Sequence, residues 1–194
     1  MQYHSTCTFP ALLFIIRKGD FLMMEPYKNA WGHICTQSAK AACSALIPVD
    51  LIRVSALTKI TGDMCSRITE CYGYEQLKGL TRFCGIAAGA ALGVHLANKI
   101  LSKIPSIGML AASAATTVLH LTTGVILICA CELLRSGQIS DEMLQDSAQS
   151  SKLVQILRGN IGDCILRLIR GLNPLENAYA FPIDGQASTA TPAI

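Results

Sequence analysis

Charge is the first shortage in this chain. Only 15% of its 194 residues are Asp, Glu, Lys or Arg, against roughly 25% in an ordinary soluble domain. Aromatics are scarce too, at 6%, and the basic residues are not interleaved with them. With a net charge of only +3, the chain lacks the basic, aromatic-rich surface that recognises nucleic acid, so no nucleic-acid partner is expected. Phosphate-binding motifs are missing as well. There is no Gly-x-x-x-x-Gly-Lys-Ser/Thr loop and no Gly-x-Gly-x-x-Gly turn after a strand, and Asn98-Lys99 is not followed by the Asp of a guanine-reading motif. The chain by itself is therefore not expected to bind or hydrolyse nucleotide. Nine cysteines are present, but none forms Cys-x-x-Cys, and the closest pair, Cys129 and Cys131, points about 200° apart on a helix. Metal or disulfide spacing is thus absent. The thiols read as small hydrophobes in a reducing, cytosol-facing compartment.

What the chain has instead is apolar length. Residues 104–131, between Lys103 and Glu132, contain no Asp, Glu, Lys or Arg. As a helix rising about 1.5 Å per residue, that stretch exceeds the roughly 30 Å hydrocarbon core of a bilayer. A second uncharged stretch, Phe83 to Asn98, precedes it, and the two are joined by Lys99-Ile100-Leu101-Ser102-Lys103. Hydrophobic residues make up 51% of the chain and the mean hydropathy is +0.41. The central region, residues 83–134, reads as an apolar helical hairpin.

The flanks read as helices with turn signals. The apolar run Phe9 to Ile16 is short and its charges, Arg17 and Lys18, follow it, which is the wrong order for a secretory signal. Met23 and Met24 offer a later start, so residues 1–24 are expected to be an extension without fixed structure. Tyr27 to Ala45 forms a first helix, broken by Pro48. Asp50 is expected to cap a second helix whose apolar positions, Leu51 through Ile68, recur at three- and four-residue steps. Gly73 suits its left-handed stop. After the hairpin, Ser136-Gly137 ends a helix and Ser140-Asp141-Glu142 opens a short one. Ser147 to Leu172 makes an amphipathic last helix, weakened at Gly159-Asn160 and Gly162, where a kink is expected. Residues 173–194, rich in Ala, Ser, Thr, Pro and Gly, read as a disordered tail. The helical domain is accordingly residues 25–172.

Two groups of residues stand out for interaction rather than catalysis. Gly85, Gly89 and Gly93 recur every four residues on one face of the first apolar helix, the spacing of a glycine zipper. Glycine costs helix propensity, so this spacing calls for close approach of another helix. Pro105 and Gly108 would shape the hairpin turn, Pro105 fitting a first helical turn. On the last helix Lys152, Arg167 and Arg170 lie opposite the apolar sector, and would face a membrane surface or a partner. His120, inside the long apolar run, is either a proton or ion site in a membrane bundle or a neutral ring bonded to a nearby Thr or backbone carbonyl. His95 and His120 without a carboxylate make a poor metal site, and His33 does not converge with Cys35. Cys129 and Cys131 lack the basic neighbour that catalysis would require, and Asp141, Glu142 and Asp146 read as a solvated helix start. No catalytic residue, metal site or cofactor is expected.

The hairpin admits two physical settings. In a bilayer, Arg82 and Lys99 would snorkel to make up the shortness of the first segment. Arg67, Lys78, Arg82, Arg135 and Lys152 lie on the side of the termini, against only Lys99 and Lys103 in the turn. That bias puts both termini in the cytoplasm. In a soluble bundle, the hairpin would be the core, yet few other helices are available to cover two that are apolar all round.

The residues from Ile47 to Arg135 carry a resemblance. Ile47-Pro48-Val49-Asp50 opens a helix and Tyr72-Gly73 closes it. A Gly/Ala-rich helix follows, then Lys103-Ile104-Pro105-Ser106-Ile107-Gly108, Ala111 to Thr117, Gly124 and Glu132. This order resembles the bacterial domain of unknown function, family 697, over residues 47–135. The resemblance implies a helical, membrane-associated domain of inner-membrane type, linked to a GTPase. No GTPase domain is present here, so the partner would be a GTPase supplied in trans, and the family transfers no catalytic residues.

The chain is therefore expected to be an all-α helical bundle built around a Gly/Ala-rich hairpin inserted in the bacterial inner membrane. It would be a membrane-associated anchor or regulatory interaction module, with lipid, a GTPase in trans or a second copy of itself as partners. A soluble helical interaction module with a buried hairpin, and a membrane-permeabilising hairpin, are the alternatives.

Overall fold

A computed structural model describes residues 25–47, 49–101 and 108–175, with the side-chain surroundings of residues 50, 90–101, 108–110 and 112 outside the description. Among the described residues the chain is all-helical. It has seven helices: α1 (Pro26–Ser44), α2 (Asp50–Tyr72), α3 (Lys78–Leu101), α4 (Gly108–Arg135), α5 (Asp141–Gln145), α6 (Ser147–Gly159) and α7 (Ile161–Ile169). The expected extension 1–24, Pro105 and residues 176–194 lie outside the described residues.

The turn residues explain most of the helix boundaries. Gly73 and Gly137 take positive φ, +68° and +70°, a conformation that costs glycine nothing and closes α2 and α4. Ser140 accepts from the Met143 N–H to start α5, and Asp146 accepts from Ala148 and Gln149 to start α6. The expected kink at Gly159-Asn160 is a full break between α6 and α7. One boundary shifts: α2 begins with Asp50 as its first helical residue, and Val49 is the half-in residue before it.

Helix α4 is the axis of the bundle, touching α1, α2, α3, α6 and α7. Helix α1 runs antiparallel to it. Arg135 at the end of α4 meets Glu25 at the start of α1, and Ser113 near the start of α4 donates to the Ala42 carbonyl near the end of α1. Helix α2 runs parallel to α4, with Thr61 beside His120 and Tyr72 beside Glu132. The molecule thus has a base, where α4 ends and α5, α6 and α7 gather, and a tip, where α1 ends and α2 and α4 begin.

Two glycines at the base permit close approach. A Cβ on Gly124 would sit 2.6 Å from Ile34 Cγ1 and 2.8 Å from its Cδ1, so α1 packs onto α4 only because that methyl is absent. A Cβ on Gly79 would collide with the Asp141 carbonyl. There the Asp141 carboxylate accepts the Leu80 N–H at 3.1 Å, which satisfies an otherwise unpaired donor in the first turn of α3.

Gly85 and Gly89 do not have the role expected of them. Both are exposed, and a Cβ at either meets no heavy atom within 4 Å. The inward face of α3 is instead Leu80, Phe83, Cys84 and Ala87, the i, i+3, i+4, i+7 pattern. The zipper glycines lie on the side turned away from that face, and so do not seat α4 against α3. Gly93 and Gly108 fall where side-chain surroundings are not described. A second expectation also changes: residues 173–175 belong to the folded domain, not to the tail. Pro174 is buried, and the Asn173 amide is bonded to Glu132.

Candidate functional site

Three features of the bundle bear on function: a polar hub at the base, a polar layer midway, and an apolar tip.

The hub is centred on Glu132, the first charge after the long uncharged run. Its side chain is only 3% exposed. Its carboxylate accepts from the Tyr72 hydroxyl at 2.8 Å, the Asn173 amide at 2.8 Å, and both Nε and a terminal nitrogen of Arg135, at 3.1 and 2.8 Å. Arg135 also pairs with Glu25 at 3.2 Å. Burial, reinforced by the Glu132 carboxylate, holds the Tyr72 phenol well above the ordinary tyrosine range. A cleft of about 560 Å³ opens beside the hub, lined by Glu25, Tyr27, Glu132, Arg135, Ser136, Gln138, Asn173 and Leu175. Its charged groups already satisfy one another, so the hub reads as the lock that closes the base. Sequence reasoning missed it, because Tyr72 and Asn173 lie 60 and 41 residues from Glu132. The one available signal was a lone acid ending an apolar helix.

Midway along α4 lies the polar layer. Gln37 and Ser38 of α1 and Thr116, His120 and Thr123 of α4 are all buried. The His120 ring bonds the Thr116 carbonyl through Nδ1 at 2.9 Å and the Thr61 hydroxyl through Nε2 at 3.0 Å. Both ring nitrogens are thus engaged inside the bundle, the internally bonded arrangement. Gln37 Oε1 and Ser38 Oγ have no hydrogen-bond partner among the described residues.

The layer divides α4 into two environments. On the base side, Val125 through Cys131 and Leu133 are at most 3% exposed, enclosed on every side by the other helices. On the tip side the outward positions Ala111, Ala114 and Val118 are exposed. The segment Ser113–Arg135 is long and apolar enough to cross a membrane, with a mean hydropathy of 1.9, yet 67% of its most apolar window is buried inside the bundle. Helices α1, α2, α3, α6 and α7 therefore cover the apolar base half of α4, which the count of other helices in the sequence did not suggest.

At the tip, apolar side chains lie uncovered by the described residues. Leu51 is 81% exposed, Val118 60% and Ile52 56%, and Leu46, Val49 and Val54 are about half exposed as well. Large uncovered apolar patches mark interaction surfaces. The sequence placed Leu51 and Val54 on the inner face of an amphipathic helix; the first turns of α2 instead project past the core.

The basic residues of the last helix sit at the base, away from the tip. Lys152 and Arg170 are exposed, while the Arg167 Nε donates to the Asn173 carbonyl at 2.8 Å. Beside them Leu166, Ile169 and Leu172 form an exposed stripe on and just after α7. No group of three or more His, Cys, Asp or Glu side chains that could hold a metal ion occurs among the described residues. No family model matches the chain, and no curated protein and no solved structure matches it either.

Proposed function

We propose that the chain is a membrane-associated helical anchor and interaction module that enters the bilayer by its tip and presents its base to a partner. The observation that carries this reading is the lengthwise division of the bundle. The same apolar helix is wrapped by protein on every side at its base half, while at its tip half Ala111, Ala114 and Val118 are exposed, as are Leu46, Val49, Leu51, Ile52 and Val54. A bundle built only for water would cover those side chains, since burying each contributes about 1.5 to 3 kcal/mol. In this arrangement the hairpin does not span with its whole length. Its turn end lies among acyl chains while the hub stays in water, and both termini remain on one side, the cytoplasmic face of a bacterial inner membrane.

The partner face in this reading is at the base, where the α7 stripe of Leu166, Ile169 and Leu172 is bordered by Arg170. The resemblance over residues 47–135 suggests a GTPase supplied in trans as the occupant. Alkaline carbonate extraction of membranes from expressing cells tests the anchor. Retention in the pellet is the expected result. Release as a soluble monomer would overturn it in favour of a soluble interaction module, the second reading, which the 67% burial of the α4 window favours. A dye-release assay on liposomes separates either from a membrane-permeabilising hairpin, the expected result being retained dye.

A further inference from the structure

Charge, like polarity, is distributed unevenly along the bundle. Residues 35–44 and 50–61 are the tip-side halves of α1 and α2. Their charged side chains are Lys40, Asp50, Arg53 and Lys59. Residues 83–98 of α3 and 108–131 of α4 contain no charged side chain, and Lys99 follows near the end of α3. The described residues of the tip half thus include four basic residues and one acid. The base half of the described residues has nine of each sign: the acids are Glu25, Asp63, Glu70, Glu75, Glu132, Asp141, Glu142, Asp146 and Asp163, and the bases are Lys28, Arg67, Lys78, Arg82, Arg135, Lys152, Arg158, Arg167 and Arg170. Among the described residues the positive surplus therefore lies at the apolar end.

Its placement fits a particular surface. Lys40 and Lys59 are exposed on α1 and α2, set back from the uncovered apolar side chains. Arg53 donates to the Ile47 carbonyl across the α1–α2 turn at 3.5 Å, which holds its guanidinium beside that turn. Apolar residues at the extremity with a basic collar behind them match the layering of an anionic bilayer, where headgroup phosphates overlie acyl chains.

We propose that the tip docks selectively on membranes that carry anionic phospholipid. In this docking Leu51, Ile52 and Val54 enter the acyl layer while Lys40, Arg53 and Lys59 lie at headgroup level. The proposal rests on the membrane reading above and adds a lipid class to it. Each basic residue near an anionic surface strengthens partitioning by about fivefold, and the attraction fades beyond a Debye length of about 10 Å at moderate salt.

The test is co-sedimentation of the full chain with vesicles of phosphatidylcholine alone and of phosphatidylcholine mixed with phosphatidylglycerol. Wild-type protein should bind the mixed vesicles at least tenfold more tightly. Lys40→Glu with Lys59→Glu, both exposed and so neutral to folding by circular dichroism, should abolish that preference. Leu51→Gln with Ile52→Gln should lose binding to both vesicle types. Equal binding of wild type to the two vesicles would overturn the lipid selectivity and leave the membrane reading standing. Binding to neither would overturn both. Undiminished binding by the Leu51→Gln, Ile52→Gln variant would show that another surface docks, which overturns the proposal.

Discussion

Replacing Gly124 and Gly89 by alanine should shift stability in opposite directions. In an exposed helix interior the Gly→Ala change gains about 1 kcal/mol, because glycine loses more backbone freedom on folding. Gly89 is such a site: it is exposed and a new Cβ meets nothing within 4 Å. Gly89→Ala should raise stability by up to about 1 kcal/mol. At Gly124 the same methyl would lie 2.6 Å from Ile34 Cγ1, 2.8 Å from Cδ1 and 3.1 Å from Cγ2. Ile34 is fully buried and branched at Cβ, so it cannot swing its end aside. Overpacking typically costs about 1 to 3 kcal/mol, and the propensity gain offsets only part of it, leaving Gly124→Ala destabilised by about 1 to 2 kcal/mol. Ile34→Ala alone should cost about 2 to 5 kcal/mol. Together with Gly124→Ala the loss should fall short of the sum by about 1 kcal/mol or more, since the new methyl occupies space the isoleucine vacates. Urea unfolding followed by the fluorescence of Trp31, the single tryptophan and three residues before Ile34, reads the wild type and all four variants. A rise in midpoint for Gly124→Ala, or an additive cycle, would refute the α1–α4 close approach. A large loss for Gly89→Ala would restore the zipper face to the α3–α4 contact.

Other consequences follow from the base and the thiols. Glu132→Ala removes the acceptor of Tyr72, Asn173 and Arg135 and should lower unfolding free energy by about 2 to 3 kcal/mol; a loss under about 0.5 kcal/mol in urea titration would show that the hub does not hold the base together. Burial holds the Tyr72 phenol above its ordinary range, so folding favours the protonated form. That contribution is complete below about pH 10, where an unfolded tyrosine begins to ionise, and is lost as pH rises further. Stability measured across alkaline pH should therefore fall less steeply in Tyr72→Phe than in wild type, and identical slopes would exclude this cause. Cys35 and Cys43 are exposed whereas Cys84, Cys129, Cys131 and Cys164 are buried. A thiol reagent should label the first two at once and the other four only on unfolding, with mass mapping as the check.

Much of the fold was legible because it is written locally. Gly73, Gly137, Ser140 and the Gly159-Asn160 break announce helix ends through their own backbone and side-chain chemistry, and they stand where the sequence put them. The contacts between helices were less legible. A four-residue glycine spacing says that Gly85 and Gly89 share a face, but not which neighbour that face meets, and the inner face of α3 belongs to Leu80, Phe83, Cys84 and Ala87. The glycines that allow close approach, Gly79 and Gly124, stand alone in the sequence with no pattern to mark them. The burial of α4 was hidden for a similar reason. Apolarity on all sides is common to a helix in lipid and one at the centre of a bundle, and only the arrangement of α1, α6 and α7 around Val125–Leu133 tells the halves apart. Asn173 looked like tail because its partner is distant along the chain.

The Glu132 hub also sets an order of events during synthesis. Its carboxylate waits on Asn173, which follows it by 41 residues, and α6 and α7, which cover the base half of α4, are made in that interval. Until they arrive, Val125–Leu133 is uncovered on the sides those helices will occupy. In the proposed membrane setting, the sides of α4 that α6 and α7 will cover are open to a bilayer for that interval, and afterwards only its exposed tip positions are. On that reading closure of the hub ends a kinetic window, and the depth to which the hairpin enters a membrane depends on whether lipid or the last two helices reach α4 first.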